Sequence, residues 1–247
     1  MKKRKLKSWI VVVFIILCSL MMIYSLYKII TWKQNVDENH EIKDEIEENI
    51  KTNNVNGTIN YDIDFKTLKA QNADTIAYLR VNNTNIAYIV VKGTDNDYYL
   101  NHNFQKRKNV AGWIFADYRN KFDENDRNII IYGHSTKDGS MFGTLKNILK
   151  NNWYENEENH KLDLVTEKGT YHYQVFSTYT IVPEDYYITT EFASDDYFYE
   201  FINKLKARSN YNYNVEVSKE DKILTLSSCN IDGSKRIVLH AKLIDKS

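Results

Sequence analysis

The chain has 247 residues, of which 43% are hydrophobic and 13% aromatic, so it is long enough for one domain with a sizeable core and too apolar for a disordered protein. Five cations, Lys2, Lys3, Arg4, Lys5 and Lys7, lie in the first seven residues; removing them from the 33 basic residues leaves 28 against 33 acidic ones. A mildly acidic body argues against nucleic-acid binding, so no nucleic-acid partner is predicted.

The first predicted element is an apolar helix. The twenty residues from Ser8 to Tyr27 carry no charge, and as a helix they would span about 30 Å, the thickness of a bilayer's hydrocarbon core. We predict a basic tail over residues 1–7 and a transmembrane anchor over 8–30. Because cations precede the anchor, the positive-inside rule predicts a cytoplasmic N-terminus and an extracellular body. A cleaved signal peptide is the alternative, but no small-x-small cleavage site follows the long apolar run.

Residues 31–60 are polar, with a thin apolar stripe. Its members are spaced by four, as on one face of a helix: Ile42, Ile46 and Ile50. This pattern fits either a stalk helix or a helix packed on the following domain. Asn56-Gly57 then breaks the pattern, which predicts the edge of a domain that covers residues 61–247.

From Tyr61 the sequence predicts a mainly β domain, because β-branched and aromatic runs alternate with turn signals. The predicted strands are 76–81, 86–91, 112–118, 127–132, 162–165, 171–182, 222–227 and 236–244. In the fourth of these strands, Ile129-Ile130-Ile131 is typical of a strand buried on both faces, and Gly133-His134 ends it. A short helix is predicted within residues 141–150.

A longer helix is predicted after Pro183, the single proline. Ser194 can cap its start, and acidic residues in its first turn with basic residues towards its end both favour the helix dipole. The predicted buried face consists of Phe198, Phe201, Ile202 and Leu205.

The candidate chemistry begins at Cys229, since the other cysteine, Cys18, lies within the apolar anchor. An extracellular thiol without a disulfide partner is typical of a nucleophile, which needs a nearby base or cation to favour its thiolate. Arg236, across the mouth of a predicted hairpin, keeps its proton but could donate N–H groups to an oxyanion. Among six histidines, His134 stands where a buried strand emerges. No Cys/His cluster has metal-ligand spacing, so no metal or cofactor is predicted.

The sequence segments around these residues resemble those of class B sortases. Residues 132–142, Tyr-Gly-His-Ser-Thr-Lys-Asp-Gly-Ser-Met-Phe, resemble the histidine motif of that family. Thr225-Leu226-Ser227-Ser228-Cys229 is similar to its Thr-Leu-x-Thr-Cys signature, and Arg236 falls at its arginine position. Asp95-Asn96 with Tyr99-Leu100, and residues 112–120, are also similar to class B sequences. The likeness covers about residues 61–244, with two departures: Ser228 replaces the usual threonine, and only six residues separate Cys229 from Arg236.

The resemblance implies a closed, mixed β-barrel of about eight strands with N-terminal helices and a helix between the sixth and seventh strands. It also implies transpeptidation at the surface of a Gram-positive bacterium, with catalytic residues Cys229, His134 and Arg236. In that scheme the Cys229 thiolate attacks a threonine carbonyl in the sorting motif of a surface protein, which leaves a thioester. An amine of a peptidoglycan cross-bridge or precursor then accepts the acyl group.

Four further positions match peptide-contact residues of the resembled family: Asn96, Leu100, Tyr132 and Ser227. Leu100 and Tyr132 could instead be ordinary core residues, and Asn96 a turn residue.

Other functions remain open at this point. The same three residues would serve a cysteine hydrolase, in which water resolves the acyl-enzyme, or a sortase that polymerises pilins. Ser-Ser-Cys-Asn-Ile does not fit the Ser-His-Gly-Cys signature of L,D-transpeptidases. A membrane-tethered binding domain with an incidental cysteine is the least favoured alternative, because it leaves the matched histidine motif and arginine unexplained.

Overall fold

The computed structural model describes residues 8–55, 58–229 and 234–247, with the backbone alone for Ser8, Asn54, Val55, Thr58 and Cys229. The predicted basic tail, the Asn56-Gly57 break and most of the loop between Cys229 and Arg236 lie outside these residues. The helices of the described residues are α1 Ser8–Glu47, α2 Phe65–Gln71, α3 Asn151–Tyr154 and α4 Asp195–Arg208. The strands are β1 Ile50–Val55, β2 Thr58–Ile63, β3 Thr75–Val81, β4 Ala87–Val91, β5 Phe115–Ala116, β6 Asn128–His134, β7 Lys161–Thr166, β8 Gly169–Ile181, β9 Ile223–Cys229 and β10 Arg236–Lys246. Short 3₁₀ turns cover Tyr98–Leu100, Leu145–Leu149, Glu157–His160 and Tyr186–Ile188.

Eight strands of the described residues close into a barrel in the order β10-β8-β7-β3-β4-β5-β6-β9. The β4–β5 and β6–β9 pairs are parallel and the other strand pairs are antiparallel, so the predicted closed, mixed barrel is confirmed. The strand predicted over 112–118 is shortened to β5. Gly112 has a φ of +59°, and the chain turns again where the Asn120 amide donates to the Asp117 carbonyl at 3.1 Å.

Helix α4 lies between β8 and β9, the sixth and seventh strands of the barrel, as predicted. Its start is capped by Ser194, whose hydroxyl accepts a hydrogen bond from the Tyr197 amide at 3.1 Å. The predicted apolar face is buried: Phe198, Phe201, Ile202 and Leu205. These side chains pack on the outer face of β8, β9 and β10 against Tyr179, Ile223 and Val238, which forms a second core beside the barrel interior.

Helix α1 has two parts with different surroundings. Its first part is exposed on all sides, and α1 is the one helix of the described residues that is long and apolar enough to cross a membrane. Such a helix could serve as a membrane anchor. Its second part packs on the barrel, because Val36, Ile42 and Ile46 are at most 5% exposed. The described chain therefore has a docked helix where the sequence also allowed a free stalk.

Polar contacts fix this docked part of α1. The Asn39 side-chain amide donates to the Gly112 carbonyl at 3.0 Å, and that of Asn109 donates to the Asn35 carbonyl at 2.8 Å. After α1, strands β1 and β2 pair with each other from Ile50 opposite Ile63 to Val55 opposite Thr58. The residues on either side of Asn56-Gly57 are thus paired antiparallel strands.

A core substitution in α1 tests this docking. Ile42→Ala is expected to lower the free energy of unfolding by about 2 to 4 kcal/mol, because it removes buried methyl groups and leaves a cavity. The measurement is chemical denaturation of the full chain in detergent micelles. Glu41→Ala, at an exposed neighbouring position, is the matched control and is expected to change stability by less than about 0.5 kcal/mol. Equal stability of the two variants would contradict docking of this part of α1.

Candidate active site

Three neighbouring strands bring the predicted catalytic residues to one level of the barrel. In the parallel β6–β9 pair, His134 lies opposite Cys229, and in the antiparallel β9–β10 pair, Cys229 lies opposite Arg236. Paired strands lie about 4.8 Å apart. The backbone of Cys229 is therefore flanked by His134 on one side and by Arg236 on the other. Residues that are distant in sequence are therefore adjacent at this edge of the barrel.

His134 is half-buried at the last position of β6. Its Nε2 lies 2.9 Å from the Leu100 carbonyl oxygen, and since a carbonyl only accepts, Nε2 carries a proton there. Nδ1 is then the ring nitrogen that is left to accept a proton from, or give one to, a reacting group. The preceding residue must be small, because a Cβ at Gly133 would overlap Ile114 and come within 2.9 Å of the Phe142 ring.

A groove of about 360 Å³ runs beside these residues. All four positions that match peptide-contact residues line it: Asn96, Leu100, Tyr132 and Ser227. Arg236 and Gly133 line it as well. Leu100 and Tyr132 keep part of their surface exposed to this groove, so the structure places them at its wall and not wholly within the core.

The groove also has residues that the sequence analysis did not single out. One wall is the segment between β8 and α4, which contributes Pro183, Glu184, Asp185, Tyr187 and Ile188. This wall is tied to the opposite strand by the Tyr187 hydroxyl, which lies 3.0 Å from the Ser227 hydroxyl. Pro183 was the only local signal, and it indicated the end of a strand without indicating which side chains face a cavity.

Asp117 is a second residue that sequence reasoning missed, although its carboxylate joins several parts of the groove. It is fully buried and accepts hydrogen bonds from the Tyr132 hydroxyl at 2.8 Å and the Asn96 amide at 3.0 Å. It also forms an ion pair with Arg119 at 2.6 Å, and Arg119 in turn donates to the Ile188 carbonyl at 3.0 Å. One carboxylate thus supports both walls of the groove.

These contacts also set the charge of Asp117. Burial by itself raises the pKa of the carboxyl, but the hydrogen bonds from Arg119 and Tyr132 outweigh burial and hold the pKa below its ordinary value. Burial and the neighbouring Asp117 charge raise the pKa of Tyr132, so its hydroxyl keeps its proton and donates it. The site therefore contains a carboxylate that is ionised at neutral pH and already engaged by protein groups.

A chain of buried polar groups lies beneath the active-site strands. The Thr225 hydroxyl donates to Asn128 Oδ1 at 2.7 Å and accepts from His240 Nδ1 at 2.8 Å. His240 Nε2 then accepts from the Tyr179 hydroxyl at 2.8 Å. With His240 neutral and its proton on Nδ1, both ring nitrogens are satisfied. Burial, aided by the positive charge of Arg208, lowers the pKa of His240 to about 3.

This histidine makes the fold sensitive to acid. The unfolded state takes up a proton near pH 6.5 whereas the folded state does so only near 3, so stability falls as pH falls between these values. Because His240 takes up its proton in the unfolded state, we expect the free energy of unfolding to fall by about 2 kcal/mol as pH falls from 7 to 5. The measurement is denaturant unfolding at both pH values for the parent and His240→Gln, in which this part of the loss should vanish. His102→Gln, at a partly exposed loop position, is the control. An unchanged pH dependence in His240→Gln would contradict the assignment.

A larger cavity of about 500 Å³ lies elsewhere, around Ile129, Leu164 and Ile223. Ile129 and Ile223 are near the starts of β6 and β9, so this cavity is at the other end of those strands from His134 and Cys229. Chemistry and not volume therefore identifies the candidate site. Within the described residues, no group of three His, Cys, Asp or Glu side chains is placed to hold a metal ion.

Comparisons with known proteins agree with this fold. The sortase domain model matches residues 79–244. Sortase B of Listeria monocytogenes is 37% identical over 198 residues, 79% of either chain, and sortase B of Staphylococcus aureus is 36% identical over 186 residues, 74% of this chain and 75% of that protein. A crystal structure of sortase B from Bacillus anthracis superposes with a TM-score of 0.75 at 34% identity, covering 86% of this chain and 99% of that one. A Staphylococcus aureus sortase B-substrate complex gives a TM-score of 0.70 at 35% identity, covering 74% of this chain and 85% of that one.

The chain belongs to the sortase family, and its class B relatives make it a cysteine transpeptidase that anchors surface proteins.

Proposed function

We propose that Cys229 is the nucleophile, His134 the general acid and base, and Arg236 the oxyanion donor in the transfer of a sorting peptide held in the groove. The observation that carries this proposal is the register that sets these residues side by side on β6, β9 and β10, beside the groove that Gly133 and Arg236 line. Asn96, Leu100, Tyr132 and Ser227 are the proposed peptide contacts. A solved substrate complex of the Staphylococcus aureus sortase B supports peptide binding by this fold.

The first half-reaction forms an acyl-enzyme. The Cys229 thiolate attacks the carbonyl carbon of the threonine in the sorting motif, and the negative charge that develops on oxygen is met by the Arg236 guanidinium. The C–N bond then breaks, and His134 gives the departing amine its proton. The surface protein remains joined to Cys229 through a thioester.

The second half-reaction reverses these roles. An amine of a peptidoglycan cross-bridge or precursor attacks the thioester carbonyl, and His134 takes the proton that the amine loses. The C–S bond breaks and the Cys229 thiolate returns. The Leu100 carbonyl, which accepts from His134 Nε2, keeps the ring oriented with Nδ1 available for both transfers.

We also propose that the apolar part of α1 anchors the enzyme, with residues 1–7 in the cytoplasm, residues 8–30 in the bilayer and the catalytic domain, residues 61–247, outside the cell. The cations before the helix support this orientation. The intervening residues 31–60 then hold the barrel close to the membrane, because α1 contacts it from Val36 onward. The surface protein and the peptidoglycan amine that accepts it would then meet at the outer surface of the membrane.

The test is a transfer assay with the full chain in detergent micelles and a fluorogenic sorting peptide. We expect a short amine-bearing peptide, added as the acceptor, to be joined to the cleaved sorting peptide in the product. When the acyl-enzyme is trapped and digested with trypsin, we expect the peptide that contains Cys229 to gain the mass of the acyl fragment. If the product lacked the amine even at a saturating concentration of the acceptor, the result would instead indicate a cysteine hydrolase. Transfer only to a pilin lysine would indicate a polymerising sortase, and an acyl fragment elsewhere would exclude Cys229 as nucleophile.

A further inference from the structure

The loop of residues 106–110 is held against α1 just beyond the apolar half of that helix. We propose that this loop makes a second contact with the membrane, with Val110 among the lipid headgroups and Lys108 against lipid phosphate groups. The inference rests on the proposed membrane anchor, since α1 sets the height of the loop. The partner is the outer surface of a phospholipid bilayer, and binding is stronger where that surface contains anionic lipid.

Hydrogen bonds clamp this loop to α1. Asn109 is fully buried, and its side-chain amide donates to the Asn35 carbonyl at 2.8 Å and to the Glu38 carboxylate at 3.1 Å. The Val110 backbone amide donates to the Asn35 side-chain oxygen at 2.7 Å. The loop therefore keeps one height along α1.

The geometry of α1 places this height at the lipid headgroups. Helix α1 runs from Ser8 to Glu47 as one element and rises about 1.5 Å per residue. Asn35 is five residues beyond the end of the predicted anchor at Ile30, so it lies about 7.5 Å above the hydrocarbon core. The headgroup region of a bilayer extends about 5 to 8 Å on each side of that core. The loop is therefore level with the headgroups.

The apolar side chain of the loop suits this level. Val110 is 53% exposed, which by itself is ordinary for a single residue on a protein surface. It is bonded to Asn35, however, and Trp32 lies about one helical turn from Asn35 towards the anchor. Tryptophan is typical of the membrane–water interface. Along the helix, Trp32 therefore lies between the apolar anchor and Val110.

The charges around the loop leave a small positive excess. Lys106 and Arg107 form ion pairs with acidic residues at 2.8 and 3.1 Å. Among the described residues, exposed Lys108 on the loop and exposed Lys33 on α1 have no carboxylate within 4.0 Å, and Asp37 is the exposed acid at this level without an ion pair. Two cations against one acid favour contact with phosphate groups and with anionic lipid.

This contact would give the catalytic domain two fixed points on the membrane. An anchor helix alone permits the domain to tilt, whereas a second contact beside the helix limits the tilt. The segment that ends at Val110 begins at Leu100, whose carbonyl accepts from His134 Nε2. The Asn109 backbone amide also donates to the Asn101 carbonyl at 2.8 Å. One short segment thus joins the membrane contact to the active site.

The experiment compares two labelled positions in a bilayer. The full chain with Cys18→Ser and Cys229→Ala receives one new cysteine, Val110→Cys or Ala70→Cys, which carries a fluorophore, and is reconstituted in phospholipid nanodiscs. A quencher attached to the lipid headgroups should quench the label at position 110 at least about twofold more than the label at position 70.

Ala70 is the matched control because it is exposed on α2, which lies far from the membrane. The start of α2 lies beside Asn49, since the Asp64 amide donates to the Asn49 carbonyl at 3.1 Å. Asn49 follows the end of α1, which is about 25 Å beyond Ile30 along the helix.

A second comparison tests the phosphate contact. In nanodiscs with about one third phosphatidylglycerol, Lys108→Glu should reduce the quenching at position 110 by about half. Lys66→Glu, which changes an exposed lysine on α2, should leave this quenching unchanged. The effect of Lys108→Glu should become smaller at about 0.5 M salt, because salt screens exposed charges.

Two results would overturn the inference: equal quenching at positions 110 and 70, or equal quenching at position 110 in the parent and Lys108→Glu. Failure of the proposed anchor is recognised separately, because a chain without an anchor would not stay in the nanodiscs during their purification. Loss of the chain would contradict the anchor and, with it, the loop contact. A chain that stays in the nanodiscs with equal quenching has the anchor and lacks the loop contact.

Discussion

Cys229→Ala is expected to reduce peptide cleavage by at least about 10⁴-fold, because no other described group at the site can form the thioester. His134→Ala should lose about 10²- to 10⁴-fold, the usual contribution of a general acid and base. The double variant should be no slower than Cys229→Ala, since His134 has no proton to transfer once the thiol is gone. Initial rates with the fluorogenic peptide, for the full chain in micelles, provide the measurement.

The control for this prediction is the other cysteine. Cys18→Ser removes a thiol from the apolar half of α1, far in sequence from the active-site strands, and should leave the rate within about twofold of the parent. Circular dichroism confirms that each variant is folded. Residual cleavage by Cys229→Ala at the parental rate, or additive losses in the double variant, would mean that Cys229 and His134 do not act as one unit.

Features with local causes could be predicted from the sequence. Helix α4 was predictable because its cap at Ser194, the charges at its ends and its buried apolar face agree. Strand β6 was predictable because Ile129-Ile130-Ile131 is a continuous apolar run, and the strand ends at His134 as expected. His134 and Cys229 were found because each lies in a motif of several consecutive residues, and Arg236 was found by its position after Cys229.

Features that depend on distant partners could not be predicted. Whether α1 docks is decided by Asn109 and Gly112, more than 70 residues away in the chain, whereas its own spacing fits a stalk equally well. The position of Asp185 depends on how the connection from β8 to α4 folds back over β9. The parallel pairing of β6 with β9 joins segments about 95 residues apart, a nonlocal contact that no local pattern encodes.

Asp117 is the clearest example of such a residue, and it carries the second large expected effect. Asp117→Ala removes the acceptor for Tyr132 and Asn96 and leaves Arg119 without its ion-pair partner. We expect the free energy of unfolding to fall by about 2 to 4 kcal/mol, somewhat less than for a fully buried pair because the Arg119 side chain is 36% exposed. We also expect kcat/KM for the sorting peptide to fall by at least about tenfold, because both walls of the groove lose an anchor.

Two further variants separate the charge of Asp117 from its geometry. Asp117→Asn keeps an acceptor for Tyr132 but loses the charge opposite Arg119, so it should retain more activity than Asp117→Ala. Arg119→Ala leaves the contacts to Asn96 and Tyr132 in place and should weaken mainly the wall that contains Ile188. Equal activity of all three variants and the parent would show that the groove does not depend on this carboxylate.

The pH dependence provides an independent check on Asp117. Its pKa is lower in the folded than in the unfolded state, so its stabilising contribution is complete above the unfolded value of about 3.9 and is lost as pH falls through the folded value. The stability difference between the parent and Asp117→Asn should therefore be constant from pH 5 to pH 8 and shrink below about pH 4. Denaturant unfolding across this range measures it. A difference that shrinks instead between pH 6 and pH 7 would assign the effect to a histidine and contradict the role of the Asp117 charge.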